Sequence, residues 1–315
     1  MGMENAGHTI KWMCESDKFC RKVLENRWPG VHIHEDARTL DNVLFVDVLI
    51  GGFPCQPVSN AGPKSGIDDP KWLWPAYDRA IRILRPPIVV VENVIGLFGR
   101  GFGDVLGSLA LQGYDAEWFS LQSSEIGAPH RRKRVFILAT NSSRKGFWEN
   151  RPKTLREQEE AWREEIDNKP DSSLESGLQT TSLADTVSGR FKKRQQGWKL
   201  QQLESFSKIT TDSNGENVYG RVEERQGRRS QLADSYFGDY TEAIRRWENY
   251  FGYAPNPRDD KGRLSPYFVE WMLGFPQGWT EGVSKTQRLK MLGNSVQVQC
   301  AEVVGNLLRE KVKNG

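Results

Sequence analysis

The alternation of apolar and polar stretches along the first 140 residues predicts strands and helices in turn. Near-continuous apolar and β-branched runs at 43–50 and 87–92 are typical of strands buried in a parallel sheet. Between them, apolar side chains recur at helical spacing from 73 to 84, and the proline pair at 86–87 ends that helix. The order strand, helix, strand indicates an α/β fold.

Shorter patterns extend this prediction in both directions. Residues 9–15 are typical of a strand that ends in an acid, and 17–27 of a helix. Residues 114–121 and 134–139 predict two later strands. A final helix is predicted over 296–312, and we expect it to pack back on the first domain.

The amino-acid composition of the chain changes between about 141 and 260, where Glu, Arg, Gln, Ser and Asn dominate and apolar residues are few. Asp or Asn followed by Ser or Thr recurs there at uneven intervals, which favours short strands and turns, with extended disorder as the competing interpretation. We therefore divide the chain into a first domain at 1–140, a variable region at 141–262 and a C-terminal segment at 263–315.

Composition limits the class of protein. The 315 residues are 37% hydrophobic, with a mean hydropathy of −0.63, and the longest apolar run, Val43 to Phe53, is too short to cross a bilayer. No signal-peptide pattern opens the chain, so we expect a cytoplasmic protein without a membrane partner. The four cysteines show no metal-ligand spacing, and we expect them to be reduced and no metal to be bound.

A cysteine stands on a stiffened turn directly after the predicted strand at 43–50. Gly51 and Gly52 allow close approach of another molecule, and Pro54 fixes the backbone before Cys55. A lone cysteine is usually a small buried hydrophobe. In a doubly wound sheet, however, ligands bind beyond the carboxyl ends of the strands. The position therefore favours a thiol that faces a substrate.

This stretch resembles the Pro-Cys-Gln motif of the DNA (cytosine-5) methyltransferases, and further matches follow in the order of that family. Residues 92–94 resemble its Glu-Asn-Val motif, and 130–134 its Gln-x-Arg-x-Arg motif, with His130 where Gln is usual. Residues 274–279 and 293–296 resemble its two closing motifs. The resemblance implies a Rossmann-like methyltransferase sheet dependent on S-adenosylmethionine (AdoMet), with a small, irregular target-recognition lobe at 141–262.

The resemblance also implies the chemistry, which is methyl transfer from AdoMet to carbon 5 of cytosine in double-stranded DNA. The target base is flipped out of the duplex, and the Cys55 thiolate adds to its carbon 6. Glu92 would bond and protonate ring nitrogen 3. Arg132 and Arg134 would hold the cytosine carbonyl and steady the thiolate, although a phosphate or structural role remains open for Arg132.

Cofactor residues are assigned in the same way. Glu15 stands where a doubly wound fold places an acid on ribose hydroxyls, and Asp36, with Ala37, corresponds to the group that contacts the adenine amine. The remaining matches to the pocket are Pro54, Asn294 and Ser295.

The family's opening strand and Phe-x-Gly-x-Gly-Gly loop have no match, since residues 1–8 resemble the helix that follows them. We therefore expect weak AdoMet binding and a missing central strand between those ending at Glu15 and Ile50.

Residues for DNA contact lie in two kinds of segment. The loop at 59–69 is rich in Gly, Ser and Pro and suits closure over a flipped base, with Lys64 placed to meet a phosphate. Gln56 precedes this loop, and Ser59 is its first residue. Short basic stretches favour further phosphate contacts, with a solvated surface as the alternative; they contain Lys192, Lys193, Arg194, Arg228 and Arg229.

Two alternative functions stay open at this stage. One is a catalytically impaired DNA-binding remnant of the same family, and the other is a tRNA cytosine-5 methyltransferase. The long polar segment at 141–260 argues mildly against the compact lobe of the tRNA branch. The family context is a restriction-modification system, which leaves a cognate restriction endonuclease open as a partner, and we expect a monomer.

Overall fold

The computed structural model describes residues 1–40, 43–54, 69, 71–141 and 237–314. The chain divides into two compact units. The terminal unit comprises Met1–Ala37, Ser120–Arg134 and Phe206–Gly315. The sheet unit comprises Arg38–Phe119 and Val135–Ser205.

The helices and strands follow one another along the described residues. The strands are β1 (Trp12–Cys14), β2 (His32–His34), β3 (Val48–Gly52), β4 (Ile88–Val94), β5 (Tyr114–Gln122) and β6 (Lys133–Asn141). The helices are α1 (Gly2–Asn5), α2 (Lys18–Arg27), α3 (Trp74–Leu84), α4 (Phe102–Leu111), α5 (Thr241–Phe251), α6 (Pro266–Met272), α7 (Lys285–Asn294) and α8 (Val298–Asn314).

The sheet unit is built on four strands in the order β3-β4-β6-β5. β3 and β4 are parallel, with a register that runs from Val48 opposite Ile88 to Gly52 opposite Glu92. The first four residues of β4 are buried, as expected for a strand covered on both faces. α3 also has buried apolar side chains, Ala80 and Ile81. It ends at Leu84 and is followed by Arg85, whose backbone is left-handed.

The terminal unit contains a separate parallel pair, β1 and β2. Its two chain ends pack together, because α1 lies against α8 so closely that a Cβ on Gly2 would come within 2.3 Å of the Val298 carbonyl oxygen. Arg309 of α8 also donates to the Ala6 carbonyl at 3.1 Å. The final helix therefore packs back on the start of the chain.

The structure confirms most of the predicted elements and changes two. The run at 43–50 begins its strand only at Val48. The described part of the segment expected to form strands and turns contains a helix instead, α5, whose buried Ile244 and Trp247 are three residues apart. The sequence did not reveal this helix because the two apolar residues stand in a mostly polar segment. Their side chains belong to a core cluster in the terminal unit that also contains Ala128, Phe268 and Trp271.

Other expectations concern composition and pairing. Cys14, Cys20 and Cys300 are free thiols, and Cys55 lies outside the described residues. No helix in the described part of the chain is long and apolar enough to cross a membrane. Within the same residues β1 pairs with β2 alone and β3 with β4 alone. The expectation that a central strand is missing stays a prediction.

Candidate active site and cofactor-binding residues

The carboxyl ends of β3 and β4 form the rim that carries the candidate catalytic acid. Glu92 is paired in register with Gly52, and its carboxylate lies directly over that glycine. A Cβ at position 52 would stand 2.7 Å from Glu92 Oε2. Any larger residue would therefore displace the carboxylate, which explains why a glycine precedes the Phe53-Pro54 turn.

Asn93 links the end of β4 to the same turn. Its side chain is 2% exposed, and its Nδ2 donates to the Phe53 carbonyl oxygen at 3.2 Å. The side-chain oxygen accepts from the Val94 backbone N–H at 2.8 Å. A buried amide that uses both ends of its side chain in this way fixes the backbone next to it. The sequence motif contained Asn93, but its positioning role was missed.

An aromatic cluster packs around the residue before Pro54. The ring of Phe53 meets Trp72 edge-on at a centroid distance of 4.9 Å and Trp74 at 5.6 Å. Trp72 in turn covers Gly101, where a Cβ would come within 2.5 Å of the indole. These contacts bury Phe53 and give the start of the turn a fixed place.

Tyr77 supports the two glycines of β3 from the side of α3. Its hydroxyl lies 3.1 Å from the Leu49 carbonyl oxygen and 2.9 Å from that of Val90, so it bridges neighbouring strands. A Cβ on Gly51 would stand 2.7 Å from the ring. Burial raises the pKa of Tyr77 well above its ordinary value, so the phenol stays protonated and can donate.

Several predicted site residues lie outside the described residues. They are Cys55, Gln56, Ser59, Lys64, Lys192, Lys193, Arg194, Arg228 and Arg229. Pro54, which is exposed, is the last described residue before Cys55.

The carboxyl ends of β1 and β2 bring two candidate cofactor acids together in the terminal unit. Glu15 follows β1 and donates its backbone N–H to the His34 carbonyl oxygen at 2.9 Å. Asp36 and Ala37 follow β2 at the same end of the pair. The pKa of Cys14 is raised to about 11, mainly by burial and further by the negative charges of Asp36 and Glu15. Both carboxylates therefore act on the same short stretch of strand.

The carboxylate of Glu15 has a defined orientation. Its Oε1 accepts from the Asp17 backbone N–H at 2.8 Å. Asp17 in turn caps α2 by accepting from the backbone N–H groups of Phe19 and Cys20. The acid and the helix start are thus one hydrogen-bonded turn.

Arg132 lies against the turn that carries two further cofactor candidates. Its Nη2 donates to the carbonyl oxygens of Gly293 at 2.8 Å and Ser295 at 2.5 Å. The structure therefore brings Arg132 together with Ser295 and the exposed Asn294. Arg134 is partly buried and donates to the Lys133 carbonyl oxygen at 3.1 Å.

His130 occupies the position where the resembled motif has Gln. Its Nε2 lies 3.1 Å from the Met272 carbonyl oxygen, at the end of α6. Burial, together with the charges of Arg132 and Arg134, lowers the pKa of His130 to about 4 against the opposing effect of the Met272 hydrogen bond. The imidazole is therefore neutral at pH 7, and a carbonyl partner requires that Nε2 carries the proton.

A buried ion pair organises the closing motif at 274–279. Glu270 is fully buried and accepts from the backbone N–H groups of Gly278 and Thr280, both at 2.8 Å. The Arg288 guanidinium pairs with the same carboxylate at 2.9 Å and stacks over the Tyr267 ring at 4.4 Å. Both charged residues were missed, although an acid inside the apolar helix α6 is the kind of signal that marks such a site.

The chain belongs to the C-5 cytosine-specific DNA methylase family, whose model matches residues 1–310. Type II methyltransferase M2.BsuMI of Bacillus subtilis (strain 168) is 32% identical over 149 residues, which are 44% of this chain and 38% of that protein. Type II methyltransferase M1.ScrFI of Lactococcus lactis subsp. cremoris is 26% identical over 309 residues, 94% of this chain and 71% of that protein. The chain thus covers well under two thirds of the first of these relatives.

The solved structures support the fold. The Dnmt2 methyltransferase of S. pombe aligns with a TM-score of 0.52 and 16% identity, over 99% of this chain and 96% of that one. The α/β class expected from the sequence is confirmed, and its AdoMet-type methyltransferase architecture agrees with this structural relative.

Proposed function

We propose that this protein transfers a methyl group from AdoMet to carbon 5 of cytosine in double-stranded DNA. The observation that supports this most directly is the register of Gly52 with Glu92. This register holds the Glu92 carboxylate over the backbone that leads into Cys55. Glu92 Oε2 lies 2.7 Å from the position that a Cβ on residue 52 would occupy. An acid at the end of one strand and a thiol just beyond its parallel neighbour are what covalent activation of a pyrimidine needs.

In this proposal Cys55 and Glu92 act on the flipped base together. The thiolate forms a bond to carbon 6 while Glu92 gives a proton to nitrogen 3, so the negative charge entering the ring is neutralised. Carbon 5 then carries the electron density of an enamine. When bound, AdoMet supplies the methyl group as an electrophilic sulfonium. Loss of the carbon 5 proton to a base then expels the thiolate, and nitrogen 3 returns its proton to Glu92, which restores the neutral aromatic ring.

The terminal unit offers a donor set that fits the adenosyl part of AdoMet. Glu15 and Asp36 present carboxylates at one end of the β1-β2 pair, and carboxylates suit ribose hydroxyls and the adenine amine. Asn294 and Ser295 would contribute from the turn held by Arg132, and Ala37 would adjoin the Asp36 contact. Pro54 is assigned to the cofactor by the family resemblance alone. We propose Arg134 as the contact to the cytosine carbonyl.

DNA contact is assigned to the remaining predicted residues. Gln56, Ser59 and Lys64 would act near the flipped base, and the basic stretches at 192–194 and 228–229 would meet phosphates. Such contacts release counterions, so binding would weaken steeply with salt.

Trapping on DNA that contains 5-fluorocytosine tests the proposal. Fluorine takes the place of the carbon 5 proton, and a base cannot remove it. Elimination therefore stops, and the protein stays attached to the DNA. We expect the parent protein to form a denaturant-resistant adduct that requires AdoMet, and Cys55→Ala to form none. Cys20→Ala is the control, because Cys20 is another free, partly exposed thiol, and it should trap like the parent.

Equal trapping by Cys55→Ala would refute the assignment of the nucleophile. Methyl transfer to duplex DNA and to tRNA, measured side by side, separates the two branches of the fold. Bisulfite sequencing of DNA from cells expressing the chain then reads the target sequence. Absence of transfer together with intact DNA binding would favour the impaired DNA-binding remnant.

A further inference from the structure

One arginine of α2 spans the ends of both strands that present the candidate cofactor acids. The Arg21 Nη1 donates to the carbonyl oxygens of Glu15 at 3.1 Å and Ser16 at 2.8 Å, just beyond β1. Its Nη2 lies 3.2 Å from Glu35 Oε1, just beyond β2. A planar guanidinium that uses two nitrogens in this way fixes distance and direction together.

The stability of α2 does not account for this placement. Arg21 lies early in the helix and its guanidinium reaches back past the N-terminus, where the helix dipole disfavours a cation. The cap itself is supplied by Asp17. The ion pair with Glu35 is also a weak reason, because the Glu35 side chain is 75% exposed while that of Arg21 is 17% exposed. The contacts that remain are those to the two backbone carbonyls.

The Ser16 carbonyl connects Arg21 to the carboxylate of Glu15. Ser16 C=O and Asp17 N–H belong to one planar peptide group, so holding the oxygen also sets the direction of the N–H. That N–H is the donor to Glu15 Oε1 at 2.8 Å. Arg21 therefore acts on the orientation of the acid through a single rigid peptide.

We infer that Arg21 is a positioning residue for AdoMet binding, which holds the Ser16–Asp17 peptide and thereby directs the Glu15 carboxylate at the adenosyl group that Asp36 also contacts. The inference rests on the proposed function, since it assigns these acids to the cofactor. It distinguishes Arg21 from Lys22, its exposed neighbour on the same helix, for which the described residues give no such contact.

Calorimetric titration with AdoMet and with S-adenosylhomocysteine provides the test on the full chain. Arg21→Ala should weaken both ligands by the same factor, about tenfold or more, as expected for loss of charge-assisted hydrogen bonds. The affinity of Arg21→Lys should lie between those of the parent and Arg21→Ala, because a rotating ammonium lacks the planar geometry that directs the two N–H groups of Nη1 at the two carbonyls. Lys22→Ala and Glu35→Gln should bind like the parent. The KM for DNA and the kcat at saturating AdoMet should change less than the KM for AdoMet.

Hydrogen exchange of the ligand-free protein separates this inference from the proposed function. The Asp17 amide should exchange faster in Arg21→Ala than in the parent and in Lys22→Ala, whether or not AdoMet binds. If the parent binds AdoMet and Arg21→Ala binds it equally well, the inference is wrong. If the parent binds no AdoMet, the proposed function fails by itself, and unchanged exchange at Asp17 would then overturn the positioning role as well.

Discussion

His130 provides the sharpest test of how the segment carrying the candidate arginines is held. His130 lies two residues before Arg132, and its Nε2 donates to the Met272 carbonyl oxygen at 3.1 Å. Arg132 in turn holds the Gly293–Ser295 turn. Burial and the charges of Arg132 and Arg134 lower the pKa of His130 to about 4. The folded protein therefore disfavours the protonated imidazole.

The size of the effect follows from the difference between the two states. The pKa falls from 6.5 in the unfolded chain to about 4 in the folded one, and each unit is worth about 1.36 kcal/mol. The His130 contribution to the free energy of unfolding should thus be complete above about pH 7.5, lower by about 2 kcal/mol at pH 5 and by about 3 kcal/mol at pH 4. The unfolded chain binds the extra proton in this window, so stability falls as the pH falls.

His130→Gln is the matched variant, because its amide can donate to the same carbonyl and does not titrate. Urea unfolding of both proteins at pH 7.5 and pH 5 gives the difference in free energy of unfolding at each pH. His8, His32 and His34 are common to both proteins and cancel. We expect the difference to shift by about 2 kcal/mol in favour of the variant at pH 5. A difference that stays constant with pH would show that His130 is not buried in its neutral form.

Two further predictions concern the rim of the sheet unit. Glu92→Gln should slow methyl transfer about a hundredfold or more while DNA affinity stays the same, because its contribution grows as the thiolate adds; unchanged turnover at saturating DNA would remove Glu92 from the mechanism. Gly52→Ala should lower the melting temperature little but reduce turnover by as much as about a hundredfold, because its Cβ would displace the carboxylate of Glu92, the far end of a long side chain. Gly103→Ala, where a Cβ meets nothing within 4 Å, is the control and should leave turnover unchanged.

Local patterns were sufficient for elements whose stability is itself local. α2 was predicted over 17–27 and runs from Lys18 to Arg27 behind the Asp17 cap, because a capping side chain and helical periodicity are both written within a few residues. The pairing of Gly52 with Glu92 could also be predicted from the sequence. Parallel strands end at one edge, so motifs that end neighbouring strands are expected to meet there.

Contacts between distant segments could not be predicted in the same way. For Arg132 a contact with the base was expected and a phosphate or structural role was left open; in the structure its Nη2 donates to the Gly293 and Ser295 carbonyls, more than 150 residues away. Backbone carbonyls carry no sequence signal, because every residue has one. For the same reason the sequence could not predict the contact of His130 with the Met272 carbonyl, or those of Arg21 with the Glu15 and Ser16 carbonyls.

The end of β4 shows how one short motif divides two tasks between adjacent residues. Neighbouring side chains of a strand point to opposite faces, and here Glu92 lies over Gly52 while the buried Asn93 holds the Phe53 carbonyl. In the proposed function the first residue acts on the substrate, while the second fixes the backbone that leads into Pro54. Exchanging the two would bury a carboxylate beside a carbonyl oxygen, which costs far more than burying the amide. Their order is therefore set by the burial of the two faces as well as by the chemistry proposed for Glu92.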